Sequence, residues 1–260
     1  MKLEQRALRF HVRGEALIGI VDVPERPLAR GMLILADSSQ YRAGSHRQFT
    51  LLSRLLAARG VAVMRFDRLG AGDSEGQAAL QGLDDIAAAM KEFFIHVPEM
   101  KESVILCAGD AAASAALYAA QDARVTGLAL LDPVLAPRPA ATGGAAETPQ
   151  PGLRYGPRSA ADRLFRRAAA FRRAASRVLG GAVPGQSVTP AQAQAQAGFG
   201  GRVLLVCGGA QPPGQDATRG FEEQHPRSRR VEIAHAGLDA RRSVWRDAVA
   251  FAAASWLGSW

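Results

Sequence analysis

Short runs of aliphatic and β-branched residues alternate with segments of helical spacing along the first half of the chain, and this alternation restricts the fold more than any other feature. Residues 7–12 and 16–23 are β-rich and meet at Arg13-Gly14, a pair suited to a tight hairpin. Residues 31–36 form a continuous apolar run of the kind a doubly covered strand carries. Phe49, Leu52, Leu55 and Leu56 then recur at helical spacing within 46–59, and Gly60 supplies a helix stop. Strand-like 61–66, helical 80–97, strand-like 103–107, helical 111–120 and strand-like 125–131 follow in turn. Parallel strands need crossovers of about a dozen residues, which helices provide. The expected architecture is therefore α/β, with a mostly parallel sheet covered by helices on both faces.

The pattern breaks after residue 133. Residues 137–157 are rich in Ala, Gly and Pro, a loop-like composition, and 186–197 form a low-complexity Ala/Gln run. Between them, Leu164, Ala168, Phe171, Ala175 and Val178 keep helical spacing among six arginines, Arg163, Arg166, Arg167, Arg172, Arg173 and Arg177. That segment predicts a basic amphipathic helix over 159–179, with Phe171 facing inward, and two roles suit it: a cap over the sheet or contact with an anionic membrane. The sheet pattern resumes at 202–207 and 229–233. A last helix is expected over 240–256 with Val244, Trp245, Ala248, Phe251 and Ala252 on its buried face. The chain is thus expected to be one domain over 1–260, with 136–200 as a short cap or linker insertion.

Length and composition agree with a single domain holding a real core: 260 residues, 48% of them apolar. No apolar run approaches the roughly 20 residues of a membrane span. The polar start Met1-Lys2-Leu3-Glu4-Gln5-Arg6 has no signal-peptide character, so the cytoplasm is the expected compartment. The net charge is +8, and lysine occurs only at positions 2, 91 and 101, so arginine carries almost all of it. Such a balance suits an acidic partner or follows from an Arg- and Ala-rich coding bias. No zinc-ligand spacing, helix-turn-helix signal or RNA-binding aromatic motif accompanies it, so neither nucleic acid nor a metal is expected. Cys107 and Cys207 each end an aliphatic run, as reduced core thiols do.

Two stretches are distinctive: Gln40-Tyr41-Arg42-Ala43-Gly44-Ser45-His46-Arg47-Gln48-Phe49, and Arg65-Phe66-Asp67-Arg68-Leu69-Gly70-Ala71-Gly72-Asp73-Ser74-Glu75-Gly76. The second resembles a loop shared by many α/β-hydrolases. Together with Ala113-Ser114-Ala115-Ala116-Leu117 and Trp245-Arg246-Asp247, they resemble the exosortase A system-associated hydrolase 1 family, over about residues 4–135 and more weakly 201–257. The cap region does not match well. The resemblance implies the α/β-hydrolase fold, no cofactor, and a setting beside bacterial exosortase and exopolysaccharide genes. Members of that family are regarded as hydrolases whose substrate is unknown. The glycine loop itself has two readings, a wall of the active-site entrance or a structural turn in which Asp73 and Ser74 satisfy exposed amides.

The fold needs a nucleophile on a strand-to-helix elbow flanked by small residues, then an acid, then a histidine. Cys107-Ala108-Gly109-Asp110-Ala111-Ala112 fits the elbow, which puts Asp110 at the nucleophile position. An aspartate there is either a nucleophile, as in dehalogenase- and epoxide-hydrolase-like members of the fold, or a helix N-cap. The register of Trp245-Arg246-Asp247 places Leu238 where the histidine belongs, and His235 stands three residues early. Ala210 occupies the usual acid position, and Asp132, after the preceding strand, is the substitute. The oxyanion loop carries Asp37 and Ser38 where related sequences have glycines, with Ala111 as its other contributor; a carboxylate at Asp37 would repel a developing oxyanion. The expected catalytic set is therefore Asp110, His235 and Asp132, and it is degenerate. Three functions compete: a hydrolase of a small ester or thioester by descent, a non-catalytic protein binding a small molecule or a partner of the exopolysaccharide machinery, and a peripheral membrane protein using the Arg-rich helix.

Overall fold

The computed structural model describes residues 3–36, 40–77, 82–109, 111–131, 198–208, 225–233 and 243–260. Eight strands form one sheet in the order β1-β2-β4-β3-β5-β6-β7-β8. They are β1 (Leu3–Val12), β2 (Glu15–Pro24), β3 (Arg30–Leu35), β4 (Val63–Phe66), β5 (Glu102–Ala108), β6 (Val125–Leu131), β7 (Arg202–Gly208) and β8 (Ser228–Ile233). β1 and β2 make an antiparallel hairpin turned at Arg13 and Gly14, both at positive φ (52° and 88°), which matches the twist of the flanking strands. β2 runs antiparallel to β4, and every other pair from β4 to β8 is parallel. The alternating pattern therefore does produce a mostly parallel α/β sheet.

Helices lie on both faces. On one, α2 (Leu83–His96) and α3 (Ala111–Ala119) bury Ile86, Met90, Phe93 and Ala115 against Leu33, Ile105 and Leu205. On the other, α1 (Gln48–Ala57) and α4 (Ser243–Leu257) bury Phe49, Leu52, Trp245 and Trp256 against Met32, Val104 and Leu204. Strand neighbours point to opposite faces, so β3 is apolar from Gly31 onward and β5 from Val104 onward. Each fully buried Leu or Phe contributes roughly 1.5–3 kcal/mol of transfer free energy. Cys107 and Cys207 are both buried in the core.

Two element starts and one helix face depart from the sequence pattern. β1 begins at Leu3, because Glu4, Gln5 and Arg6 pair through their backbones with Val23, Asp22 and Val21 on an edge strand whose start is largely exposed. α1 begins at Gln48: a short 3-10 turn over Ser45–Arg47 precedes it, with His46 and Arg47 at positive φ. The first-turn amide of Phe49 then donates to the Ala43 carbonyl at 3.0 Å. α4 buries Trp245, Val249, Ala250, Ala253, Trp256 and Leu257, whereas Phe251 is 67% exposed. The expected face through Phe251 is corrected by roughly a third of a turn. The expected helix over 159–179 with Phe171 inward, and the cap or linker insertion at 136–200 apart from its last residues, lie outside the described residues.

Candidate active site

The parallel register brings the ends of six strands, β3 to β8, to one edge of the sheet. Leu35 on β3 pairs with Cys107 on β5, Ala108 with Leu131 on β6, Leu131 with Val206 on β7, and Gly208 with Ile233 on β8. β3 connects onward to β4 on one side, while β5 connects to β6 on the other. The order reverses between β3 and β5, and in open α/β sheets ligands bind in the crevice outside the carboxyl ends at such a switch point. Ala36, the last residue described after β3, and Gly109, the last described after β5, flank this crevice and belong to adjacent strands.

Gly109 takes a positive φ of 57° and donates its amide to the Leu131 carbonyl at 3.2 Å. A left-handed residue immediately after a strand turns the chain sharply, and glycine does so without a Cβ penalty. Ala108, Ala111 and Ala112 are almost fully buried around this turn. Ala111 opens α3, so its amide belongs to the unsatisfied first turn that an oxyanion hole uses. Of the expected site residues, Ala111 alone is described. Asp110, His235, Asp132, Asp37 and Ser38 lie outside the described residues, as do Ala210 and Leu238.

On the β4 side the loop after the strand is described. Asp67 follows β4 directly, and its side chain is fully buried. Its carboxylate accepts the Arg42 amide at 2.6 Å, the Arg42 guanidinium, and the Asp73 amide at 3.0 Å. Arg42 reaches on to the Asp73 carboxylate at 2.7 Å. Burial pulls the Arg42 pKa down, but the hydrogen bond to Asp73 and the charge of Asp67 outweigh it, and the net shift is upward. Ser74 Oγ accepts the Ile18 amide at 3.0 Å and donates to the Asp67 carbonyl at 2.7 Å. The glycine loop is therefore bound to both β2 and the chain after β3. Ser74 satisfies an amide as expected; the Asp73 carboxylate instead takes the Arg42 guanidinium. In the sequence Arg42 and Asp67 stand in two separate motifs with no pattern that joins them. The signal available was a charged pair beside glycines, with Asp67 directly after an apolar strand.

Beneath α1 lies a second polar cluster. Asp22, Ser53 and Arg65 are all buried, with Ser53 Oγ donating to Asp22 and Arg65 Nε 3.5 Å from it. Gln5 adds a donor to Asp22 at 2.6 Å. Burial lowers the Arg65 pKa, and the Asp22 charge opposes that shift.

No protein-family model matches the chain, and no curated protein matches it in sequence. Solved structures do match. An esterase of Pyrococcus furiosus is 14% identical with a TM-score of 0.68, over 99% of this chain and 91% of that one. An α/β-hydrolase of Sphaerobacter thermophilus is 18% identical with a TM-score of 0.63, over 97% and 100%. Est1E of Butyrivibrio proteoclasticus, solved with ferulic acid bound, is 17% identical with a TM-score of 0.63, again over 97% and 100%. With the sheet order and the switch point, these likenesses establish an α/β-hydrolase fold. Among the described residues, no helix is long and apolar enough to cross a membrane.

Proposed function

We propose that this chain descends from hydrolases of small esters or thioesters, and that its crevice keeps a binding role while acyl transfer is largely lost. The observation that carries this reading is the register of β3, β5, β6, β7 and β8, whose carboxyl ends align at one edge. The sequence continues from those ends into Asp37-Ser38, Asp110, Asp132, Ala210 and His235. Nucleophile, base, acid and oxyanion glycines are all replaced, and loss of a single triad member already removes several orders of magnitude of rate. The esterase-like neighbours support ancestry in ester chemistry. The resemblance carried by 40–49 and 65–76 supports membership of the exosortase A system-associated hydrolase 1 family and a place beside the exopolysaccharide machinery. In this reading residues 1–260 are one cytoplasmic domain with an insertion at 136–200, binding an unidentified small molecule or a protein of that system.

The test compares wild type with Asp110→Asn on alkyl halides, epoxides and p-nitrophenyl esters, alongside fluorophosphonate labelling. The expected result is no labelling and no turnover above background for either protein, with similar thermal stability. Turnover by wild type that Asp110→Asn abolishes would establish an aspartate nucleophile and overturn the proposal.

A further inference from the structure

We propose that Asp67 and Arg42 form a positioning pair that fixes the chain leaving β3 against the chain leaving β4, and so sets one wall of the crevice. β3 and β4 are adjacent and parallel, with Met32 opposite Val63 and Ile34 opposite Arg65, so their exits lie side by side. Asp67 is the first residue beyond β4, and its buried carboxylate receives three donors. Two of those donors come from Arg42 on the β3 side and one from Asp73 on the β4 side. The Asp67 charge thus belongs to both loops at once. Arg42 completes a closed arrangement by binding the Asp73 carboxylate. Gly72 packs directly on the Asp67 carboxylate, at positive φ, where a Cβ would collide with it. A buried carboxylate needs its donors, since an unpaired one is costly to keep from water. Neither loop can therefore move away without leaving that charge short of partners. The relevance of the pair to ligand binding rests on the site reading above; the coupling of the loops does not, and it is tested without ligand.

Hydrogen exchange followed by mass spectrometry on the full chain separates the possibilities. Asp67→Asn keeps the size but turns an NH2 group toward donors. Arg42→Gln removes the guanidinium at a side chain that is 17% exposed. Each is expected to accelerate exchange in peptides covering 40–48 and 68–76 by about tenfold, with β5 and β6 unchanged. The double variant should exchange no faster than the quicker single one, because both remove the same link. Arg42→Lys, which keeps the charge and one donor direction, should restore at least half of the protection. An Asp67→Asn effect confined to 68–76 would reduce Asp67 to a turn residue of its own loop and overturn the proposal. So would additive effects in the double variant. If Asp67→Asn loses its cooperative melting transition, Arg42→Gln alone decides: unchanged exchange across 68–76 overturns the pairing. Activity found at Asp110 would refute the proposed function while leaving these outcomes as they stand.

Discussion

Leu35 on β3 stands in register with Cys107 on β5, and the two strands send their crossovers to opposite sides of the sheet. That one pairing locates the crevice, because a loop leaving β3 and a turn leaving β5 must part there and open a gap between them. Ala36 and Ala108, at the ends of the two strands, are small and buried. Specificity of chemistry then depends on the residues that follow those strand ends.

The buried cluster under α1 predicts a large stability cost. Asp22 accepts hydrogen bonds from Gln5 and Ser53 and is the counter-charge of Arg65, whose Nε lies 3.5 Å away. Asp22→Ala would leave the Arg65 charge buried without its counter-charge, at a cost of about 3–5 kcal/mol. Urea unfolding at neutral pH checks this. A cost below about 1 kcal/mol would mean that Arg65 is relieved by water or another carboxylate.

Acid sensitivity should appear at the turn between α3 and β6. Asp122 accepts from the Tyr118 hydroxyl and from Arg124 Nε at 2.9 Å. Burial favours the neutral acid, but the Arg124 and Tyr118 hydrogen bonds outweigh it and hold the carboxyl below its ordinary pKa. A depressed folded-state pKa stabilises above the unfolded value, about 3.9, and that contribution is lost as pH falls through the folded value. The stability gap between wild type and Asp122→Asn should be constant from pH 7 to pH 5 and shrink below about pH 4. Partial exposure of Arg124 keeps the gap to about 1 kcal/mol or less. A gap unchanged down to pH 3 would contradict this assignment.

The corrected face of α4 gives a paired test. Trp256 is 2% exposed and packs on Trp260 at 5.6 Å between ring centroids, while Phe251 points outward. Trp256→Ala should cost about 3–5 kcal/mol and Phe251→Ser less than about 0.5 kcal/mol. Similar losses from both would mean that Phe251 is covered in solution.

Those three tests also mark where the sequence speaks and where it is silent. β3, β5 and β6 are legible because strands covered on both faces carry long apolar runs, here 31–35, 104–108 and 127–131, and the small residues around Gly109 mark the turn after β5. The face of α4 was not, since Val, Trp, Ala, Phe and Leu surround the whole helix and leave no polar stripe to fix its rotation. The start of β1 was hidden because Glu4-Gln5-Arg6 lies in an exposed edge strand, where pairing is by backbone and side chains carry no pattern. Arg42 and Asp67 are 25 positions apart. No periodicity links such a pair; only the adjacency of β3 and β4 does.

The proposed loss of acyl transfer makes a further prediction about restoring it. A serine at the elbow is nucleophilic only when a base removes its proton, and the base needs an acid to hold its tautomer. Under the proposed reading Leu238 and Ala210 occupy those two positions, and Asp37 sets a negative charge where an oxyanion would form. Asp110→Ser alone should therefore remain unlabelled by a fluorophosphonate and silent on p-nitrophenyl acetate. Adding Leu238→His and Ala210→Asp should produce labelling, because triad members act as a unit and their effects are not additive. Replacing Asp37 by glycine in that background should raise turnover further, by about 10²-fold if a working oxyanion donor is regained. Rapid labelling of the single Asp110→Ser variant would be the decisive contrary result. It would show that a base is already in place, with His235 the first residue to substitute, and that the chain kept more of its ancestral machinery than its sequence positions imply.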